Sequence, residues 1–335
     1  MNNNRIITLL ISGLLATVVH GANYVITVSI DGMGSSYMQT LIDQGKLPHL
    51  KQLTEQGAGT TNARADYDIT VTLPNHTSMV TSRPILGEAG HNWTSNTDPA
   101  KGVTLHSHKG AYVASAFDVA HDNGLRTGMW ATKTKFKLFS ISYDAEHGAP
   151  DTTGPDNGRN KMDLFLYTNS SPILTEQFVG SMSSNPCQYA FVHFGEADAA
   201  GHTHGWGSEP YLAALEKLDP CVGQIMKMMI NSPVFKSRAT LIVTADHGGL
   251  NKDHHDATLP LDYTIPFYIW GAGVTKGDLY NMNQGTRASP GNGRPDYSAQ
   301  PQPIRNGDAG NLALSLLGLG PIPGSSINAK QDLRR

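Results

Sequence analysis

The sequence predicts an α/β fold, in which a central, mostly parallel β-sheet lies between layers of helices. Two observations support this prediction. Short apolar runs rich in β-branched residues alternate along the chain with segments of helical spacing. Several of these runs are followed closely by an acidic residue. The alternation favours a parallel sheet, because successive parallel strands need a crossover connection that is usually a helix.

The N-terminal segment, residues 1–22, has the layout of a secretory signal peptide. Arg5 is followed by an apolar run, Ile6–Val19, and then by small residues. The run is shorter than the about 20 residues that a membrane-spanning helix needs, although an uncleaved anchor is the alternative. We therefore expect an exported protein, periplasmic or extracellular, with no membrane span after cleavage.

Composition excludes some classes of partner. Of the 335 residues, 39% are apolar and 16% are charged, which is enough apolar material for a packed core. The formal net charge is −3, without a block of like charges, so a nucleic-acid-binding surface is not evident. Cys187 and Cys221 are compatible with one disulfide or with two free thiols. Nothing in the sequence indicates the oligomeric state.

The predicted elements follow one another in a regular order. Strands are predicted at Val25–Ile30, Tyr189–Asp198, Thr240–Thr244 and Ile265–Trp270. A helical segment follows Ser35 or Ser36, either of which is a possible N-cap. A long amphipathic helix, Ser208–Met229, is expected to bend or break at Pro220. A last helix is expected with Asp308 as its cap.

Two stretches interrupt this pattern. The stretch from about 86 to 165 mixes Gly, Asn, Thr and aromatic residues, and predicts an insertion or a small cap over the sheet. The stretch Gln284–Asp308 is rich in Pro, Gly and Asn, and predicts a long surface loop.

Acidic residues follow three of the predicted strands. Asp31 comes directly after the first strand, Asp198 lies in the second run, and Asp246 follows Thr244 closely. Ligands of open α/β sheets bind outside the carboxyl ends of the strands, so these carboxylates should gather at one edge. Each alone could cap a helix. Together they would repel one another, and a divalent metal would relieve that repulsion.

Histidines accompany these acids. His202 lies four residues after Asp198, on the same face if the segment is helical. His247 follows Asp246 directly and is itself followed by two glycines, although Asp-His-Gly-Gly alone could be a polar turn. Nitrogen and oxygen ligands without thiolates suit zinc, and match other divalent metals less well.

Thr72 is a candidate nucleophile. The spacing predicts a short helix over residues 76–82, and Thr72 near its start would face the positive end of the helix dipole. Asn75 offers an amide donor three residues further on. The alternative is that Thr72 is an N-cap and Asn75 a turn residue.

At these residues the chain resembles the alkaline phosphatase superfamily, and it is most similar to the nucleotide pyrophosphatase/phosphodiesterase branch. The resemblance rests on four motifs in the family's order, Asp31-Gly-Met, Thr72-Leu-Pro-Asn75, Asp198-Ala-Ala-Gly-His202 and Asp246-His247-Gly-Gly. It implies an alkaline phosphatase-like catalytic domain over residues 23–335 and a site with two zinc ions. Asp31, Asp246 and His247 would hold one metal beside Thr72, which would also contact it. Asp198, His202 and a later histidine would hold the other.

The third ligand of the second metal is open at this point. Nucleotide-cleaving relatives usually place this histidine far down the chain, but this chain has no histidine after His255. Related exported members resemble the arrangement Asp-His-Gly-Gly, four residues, then His, which implies His254. His255 is the alternative.

The resemblance implies hydrolysis of a small phosphate ester through a covalent phospho-threonine at Thr72. Asn75 and the Thr72 amide would stabilise the non-bridging oxygen. A phosphodiesterase is favoured. A phosphomonoesterase is the alternative, because Lys133 and Lys135 lie on one side of an extended segment where an ammonium could meet a dianion. A metal-dependent binding protein without catalysis is a third reading.

Overall fold

The computed structural model describes residues 22–335, and in this part of the chain eight strands form one sheet. The predicted signal peptide lies almost wholly outside the described residues. The sheet order is β4-β3-β5-β1-β6-β7-β2-β8. The strands are β1 (Tyr24–Ile30), β2 (Ala58–Arg64), β3 (Thr127–Ala131), β4 (Leu164–Tyr167), β5 (Tyr189–Phe194), β6 (Ala239–Thr244), β7 (Thr264–Gly271) and β8 (Gly277–Asp278).

Helices flank this sheet in two groups, one around the long helix α9 and one around α12. The helices are α1 (Ser35–Asp43), α2 (Pro48–Gln56), α3 (Thr72–Thr81), α4 (Leu105–Lys109), α5 (Ala116–Asp122), α6 (Lys137–Ser142), α7 (Ser171–Ser184), α8 (Glu196–His204), α9 (Glu209–Asn231), α10 (Pro260–Tyr263), α11 (Leu279–Met282) and α12 (Asp308–Leu316), with a 3₁₀ turn at Thr134–Phe136. Helices α1, α2, α7 and α8 pack with α9, whereas α3 and α5 pack with α12. In the described part of the chain, no helix is long and apolar enough to cross a membrane.

The mostly parallel sheet was predicted correctly. Within residues 22–335 only β7 runs antiparallel to its neighbours, β6 and β2. The central strands β5, β1 and β6 are buried along their whole length, which explains their near-continuous apolar sequences. Their register aligns Ile30 with Phe194 and Ser29 with Thr244, so the three strands end at the same level.

The stretch from 86 to 165 is not a cap over the sheet throughout. It contributes β3 and the first residues of β4, which pair in parallel at one edge of the sheet. The β3 sequence, Thr-Gly-Met-Trp-Ala, is short and contains a glycine, so its pattern did not stand out from the irregular sequence around it.

Several element boundaries also differ from the predictions. The second predicted strand ends at Phe194, so Asp198 lies in α8. Helix α9 continues through Pro220 rather than breaking there. Helix α1 begins at Ser35 after Gly34, so neither predicted serine is its N-cap. Asp308 is the first residue of α12 and its carboxylate accepts from the Arg305 amide (2.8 Å), whereas Gly307 occupies the cap position.

Two further expectations concern local structure. Cys187 and Cys221 are both buried and, among the described residues, both are free thiols.

The stretch 284–308 is irregular, as predicted, but its end is not on the surface. Ile304, Arg305 and Asn306 are buried, and Asn306 Nδ2 donates to the Asp246 carbonyl (3.1 Å).

Candidate active site

The site lies at the carboxyl ends of β5, β1 and β6. Asp31 follows β1 directly, Asp198 lies in the first turn of α8 after β5, and Asp246 follows β6. Because these three strands are neighbours and end at the same level, their following residues converge. The ligand atoms of Asp31, Asp246 and His247 lie within 4.8 Å of one another, and the same holds for Asp198, His247 and His254.

The three carboxylates are buried and share positively charged or hydrogen-bonding partners. Asp31 Oδ2 lies 2.6 Å from Lys133 Nζ and 2.9 Å from His193 Nε2. The same ammonium lies 2.5 Å from Asp198 Oδ2. Burial alone would raise the pKa of Asp31, but Lys133 and His193 hold it well below its usual range. Burial and the charge of Asp31 raise the pKa of Asp246.

One oxygen of each carboxylate has no hydrogen-bond partner among the described residues. These oxygens are Asp31 Oδ1, Asp198 Oδ1 and Asp246 Oδ2, and all three are buried. Asp31 Oδ1 and Asp246 Oδ2 lie 3.5 Å and 3.2 Å from the Nε2 atom of His247. Because a buried polar atom without a partner costs free energy, this arrangement fits a bound cation.

In the second half of the cluster, a carboxylate oxygen without a hydrogen-bond partner among the described residues again faces histidine nitrogens. Asp198 Oδ1 lies 3.4 Å from His202 Nε2 and 3.8 Å from His254 Nε2, and these two nitrogens are 3.1 Å apart. His202 Nδ1 donates to the carbonyl of Lys252, and His254 Nδ1 donates to that of Thr70. In the neutral imidazole the Nε2 atoms then carry lone pairs that face each other, which a cation between them would stabilise.

The charge of the cluster also changes the pKa of its histidines. Burial alone would lower the pKa of His247, yet Asp246 and Asp31 raise it to about 9. Burial and the neighbouring His247 lower the pKa of His254 to about 2, so His254 is neutral and able to bind a metal. The residues present therefore fit divalent metals that take oxygen and nitrogen ligands.

The structure separates His254 from His255. His254 is fully buried and its ring stacks on that of His247, with 3.6 Å between the ring centroids. The side chain of His255 is 56% exposed and contacts Asp253 instead. His254, and not His255, is thus the later histidine that lies in the cluster.

Thr72 is the first residue of α3 and lies beside the cluster. The helix begins four residues earlier than predicted, with Val71 at its cap position and Pro74 within its first turn, where proline is tolerated. Thr72 does not cap the helix. Its buried Oγ1 lies 3.4 Å from His247 Nε2.

Asn75 does not offer the free amide donor that we predicted. Its two amide hydrogens are donated to the carbonyls of Ile69 (2.7 Å) and Val71 (3.0 Å). Its Oδ1 accepts from the Asp66 amide and from Asn306 Nδ2, both at 2.9 Å. Asn75 thus fixes the loop that leads into Thr72, and has no donor left for a substrate oxygen.

Sequence reasoning missed Asn96 and left the role of Lys135 open. Asn96 Oδ1 accepts from the Leu73 amide (3.0 Å) and from Lys135 Nζ (3.1 Å), so both side chains lie at the start of α3 beside Thr72. Asn96 occurs in an irregular stretch, where an asparagine is common and gives no signal.

Two buried histidines were also missed. His76 Nδ1 donates to the Thr72 carbonyl (2.8 Å), and its Nε2 pairs with Ser29 Oγ at the same distance. Burial lowers the pKa of His76 to about 4. His193 accepts at Nδ1 from the Thr132 amide and donates from Nε2 to Asp31. A histidine in the otherwise apolar strand β5 was the signal that could have identified His193.

Comparison with solved structures defines the class of fold. The chain is similar to wild type alkaline phosphatase PafA, with a TM-score of 0.62 and 12% identity over 95% of this chain and 100% of that chain. It is also similar to an inactive variant of murine ectonucleotide pyrophosphatase/phosphodiesterase 5 in complex with AMP, with a TM-score of 0.61 and 15% identity over 93% and 99% of the two chains. The fold is alkaline phosphatase-like, as predicted.

The sequence shows the family to which the chain belongs. Residues 25–292 match the family model of type I phosphodiesterase / nucleotide pyrophosphatase, so the chain belongs to this family of phosphoric ester hydrolases. It is 24% identical over 249 residues to the bis(5'-adenosyl)-triphosphatase ENPP4 of Homo sapiens, covering 71% of this chain and 50% of that protein. It is 26% identical over 152 residues to the GPI ethanolamine phosphate transferase 1 of Mus musculus, covering 41% and 15%. The chain thus aligns with half or less of the length of these relatives.

Proposed function

We propose that this chain hydrolyses small phosphate esters with Thr72 as the nucleophile and with two bound divalent metals, best matched by zinc. The observation that carries the proposal is the set of three buried carboxylate oxygens that have no hydrogen-bond partner within residues 22–335 and face histidine nitrogens beside the Thr72 hydroxyl. An intact nucleophile and ligand set also argues against a protein that only binds metal.

The residues divide into two sets of ligands. Asp31, Asp246 and His247 would hold one metal, with the Thr72 hydroxyl next to them. Asp198, His202 and His254 would hold the other. When bound, such metals favour the alkoxide form of a nearby hydroxyl and stabilise charge on the phosphoryl oxygens.

The reaction follows from the position of Thr72. Its Oγ1 forms a bond to phosphorus while the bond from phosphorus to the alcohol oxygen opposite it breaks, which leaves a phospho-threonine. A water oxygen then bonds to the same phosphorus while the bond from phosphorus to Oγ1 breaks, and a proton from that water restores the Thr72 hydroxyl as the phosphate product leaves. The N-terminus of α3 stabilises the negative charge beside Thr72. Lys135 and the free amide hydrogens of Asn96 replace Asn75 as donors for the non-bridging oxygens.

Family membership favours a phosphodiesterase or nucleotide pyrophosphatase. One observation favours a phosphomonoesterase on the same fold. The Lys135 ammonium lies beside Asn96 at the start of α3, where it would meet the additional negative charge of a monoester.

The experiment is a substrate panel on purified protein loaded with zinc. It compares bis-p-nitrophenyl phosphate, a nucleotide p-nitrophenyl diester, p-nitrophenyl phosphate and p-nitrophenyl sulfate, with Thr72→Ala as the matched control. We expect the diesters to be hydrolysed fastest, and Thr72→Ala to lose several orders of magnitude in kcat while it keeps its metal and fold. Thr72→Ser should keep a substantial part. Near-normal turnover by Thr72→Ala would show that the nucleophile is another residue.

Export is a separate part of the proposal, supported by the layout of residues 1–22. A chain expressed with its own N-terminus in a bacterial host should be recovered outside the cytoplasm with a new N-terminus near Ala22. Intact-mass measurement of a full-length cytoplasmic chain would contradict export and leave the hydrolase proposal unaffected.

A further inference from the structure

Lys133 contacts two of the carboxylates that we assign to metal binding. Its Nζ lies 2.6 Å from Asp31 Oδ2 and 2.5 Å from Asp198 Oδ2, and its side chain is 19% exposed. These contacts use one oxygen of each carboxylate. The other oxygen, Oδ1 in both residues, faces the histidines. Lys133 and the metals would therefore act on the same two residues through different oxygens.

The structure around Lys133 holds it in this position. The Thr132 amide donates to His193 Nδ1 (3.3 Å), and His193 Nε2 donates to the same Asp31 oxygen that Lys133 contacts. A Cβ atom at Gly195 would lie 2.8 Å from Thr132 Oγ1 and 3.3 Å from Lys133 Cε. The turn after β3 thus fits closely against the end of β5, and the ammonium is part of the site.

The Lys133 ammonium offsets part of the negative charge of the three carboxylates. Asp31, Asp198 and Asp246 place three carboxylates in one buried cluster, and buried like charges destabilise a fold unless they are balanced. Lys133 contacts two of the three. Two divalent cations would supply four positive charges against three negative ones, so Lys133 is not needed for balance once metal is bound. An ammonium and a metal ion at the same carboxylates also repel each other.

We propose that Lys133 is an internal countercation of the metal site, which holds Asp31 and Asp198 in position before metal arrives and allows the chain to fold without metal. This inference rests on the proposed function, because it takes both aspartates as metal ligands. Lys135 contacts Asn96 instead, so the two lysines of Lys133-Thr134-Lys135 have different functions.

The experiment compares thermal unfolding of the wild type, Lys133→Met and Lys135→Met, each in chelator and in excess zinc. Methionine keeps most of the side-chain volume and removes the charge. Lys133→Met should lower the Tm by roughly 5–10 °C in chelator, because it leaves buried carboxylates without a partner. In zinc the loss should be less than half of that, because the metal supplies the missing charge. Lys135→Met should follow the wild type in both conditions.

Zinc affinity, measured by competition with a chelating dye, provides a second readout. Lys133→Met should bind zinc at least as tightly as the wild type, because a repelling charge has been removed. Weakening by tenfold or more would overturn the inference, since Lys133 would then orient the ligands. Equal losses of Tm in chelator and in zinc, or no loss in chelator, would also overturn it.

A double variant keeps the test decisive if Lys133→Met does not fold in chelator. Lys133→Met combined with Asp198→Asn removes one charge of each sign, so it should recover most of the lost Tm in chelator. Failure to recover contradicts the countercation function. Wild-type protein that takes up no metal would instead overturn the proposed function. Wild-type protein that binds zinc and hydrolyses phosphate esters, while Lys133→Met matches its Tm in chelator, would overturn this inference alone.

Discussion

At the scale of single residues, backbone carbonyls set the orientation of the three histidines in the site. His202, His247 and His254 each bond through Nδ1 to a carbonyl oxygen, those of Lys252, Gly248 and Thr70. Each ring therefore presents Nε2 to the carboxylates. Outer hydrogen bonds of this kind fix the tautomer of a metal ligand and strengthen its binding.

The first prediction separates His254 from its neighbour. His254→Ala should lower the zinc content from about two ions per chain to about one, because only Asp198 and His202 would remain at that metal. His255→Ala, an exposed control one residue away, should keep about two. Elemental analysis of the purified variants measures this. The reverse pattern would show that the ligand is His255, and two ions in both variants would exclude both residues.

The second prediction compares two asparagines. Asn75→Ala should lower the free energy of unfolding by about 1–3 kcal/mol, because it removes four hydrogen bonds, three of them buried, around the loop before Thr72. Asn96→Ala should lower stability by less than Asn75→Ala does, because it removes only the hydrogen bonds from the Leu73 amide and from Lys135. It should lower kcat/KM by about 10- to 100-fold, because we propose its amide as a donor to the phosphoryl oxygens. Urea unfolding and steady-state kinetics distinguish the two. Similar stability losses in both variants would contradict this division.

These residues also show how far the sequence can predict a site. Asp31 and Asp246 could be singled out because each comes within two residues of the end of an apolar strand, which sets its position. Asn96 could not be found, because its position depends on a long-range hydrogen bond to Leu73 rather than on a local pattern. Asn75 was found in the right place, but its hydrogen-bond partners, which decide its function, come partly from Asn306 at the far end of the chain.

At the scale of elements, the strands were easier to predict than the connections between them. The central strands are buried on both faces and have continuous apolar sequences. Helix α9 continues through Pro220 because apolar residues on both sides of the proline, such as Leu215 and Val222, are buried against its neighbours. The preceding residue, Asp219, accepts from the amides at the start of α2. Tertiary contacts of this kind outweigh a local preference and are not visible in the sequence.

The third prediction concerns a connection at the edge of the sheet. Lys161 is fully buried and contacts Asp122 at the end of α5, with 2.9 Å between Nζ and Oδ1, and also contacts Asp151. Lys161→Met should lower the free energy of unfolding by about 3–5 kcal/mol, because it leaves two carboxylates facing each other.

Chemical denaturation of Lys161→Met measures this effect, with the exposed Lys236→Met as a control that should change stability by less than about 0.5 kcal/mol. The kcat of the folded Lys161→Met should equal that of the wild type, because Lys161, Asp122 and Asp151 are not part of the active site. A stability equal to that of the control would mean that this ion pair contributes nothing to the fold.

At the scale of the whole molecule, metal binding should be linked to stability. Ligands that bind the native state alone stabilise it by about 2.7 kcal/mol at a concentration 100-fold above Kd. We expect zinc to raise the Tm of chelator-treated protein by at least several degrees and to restore its activity. Calorimetry with a zinc titration measures this. A Tm and an activity that both ignore chelator and zinc would contradict a metal-dependent enzyme.

The distribution of the site along the chain has a consequence for folding. Its side chains come from Asp31, directly after the first strand, to Asn306, just before the last helix, and most of the strands between them pair in parallel. High contact order of this kind slows folding, because distant segments must meet before any contact between them is gained. The centre therefore depends on contacts between distant segments, and a nascent chain that has not yet reached residue 306 contains every proposed ligand but lacks the hydrogen bonds of Asn306 to Asn75 and to the Asp246 carbonyl.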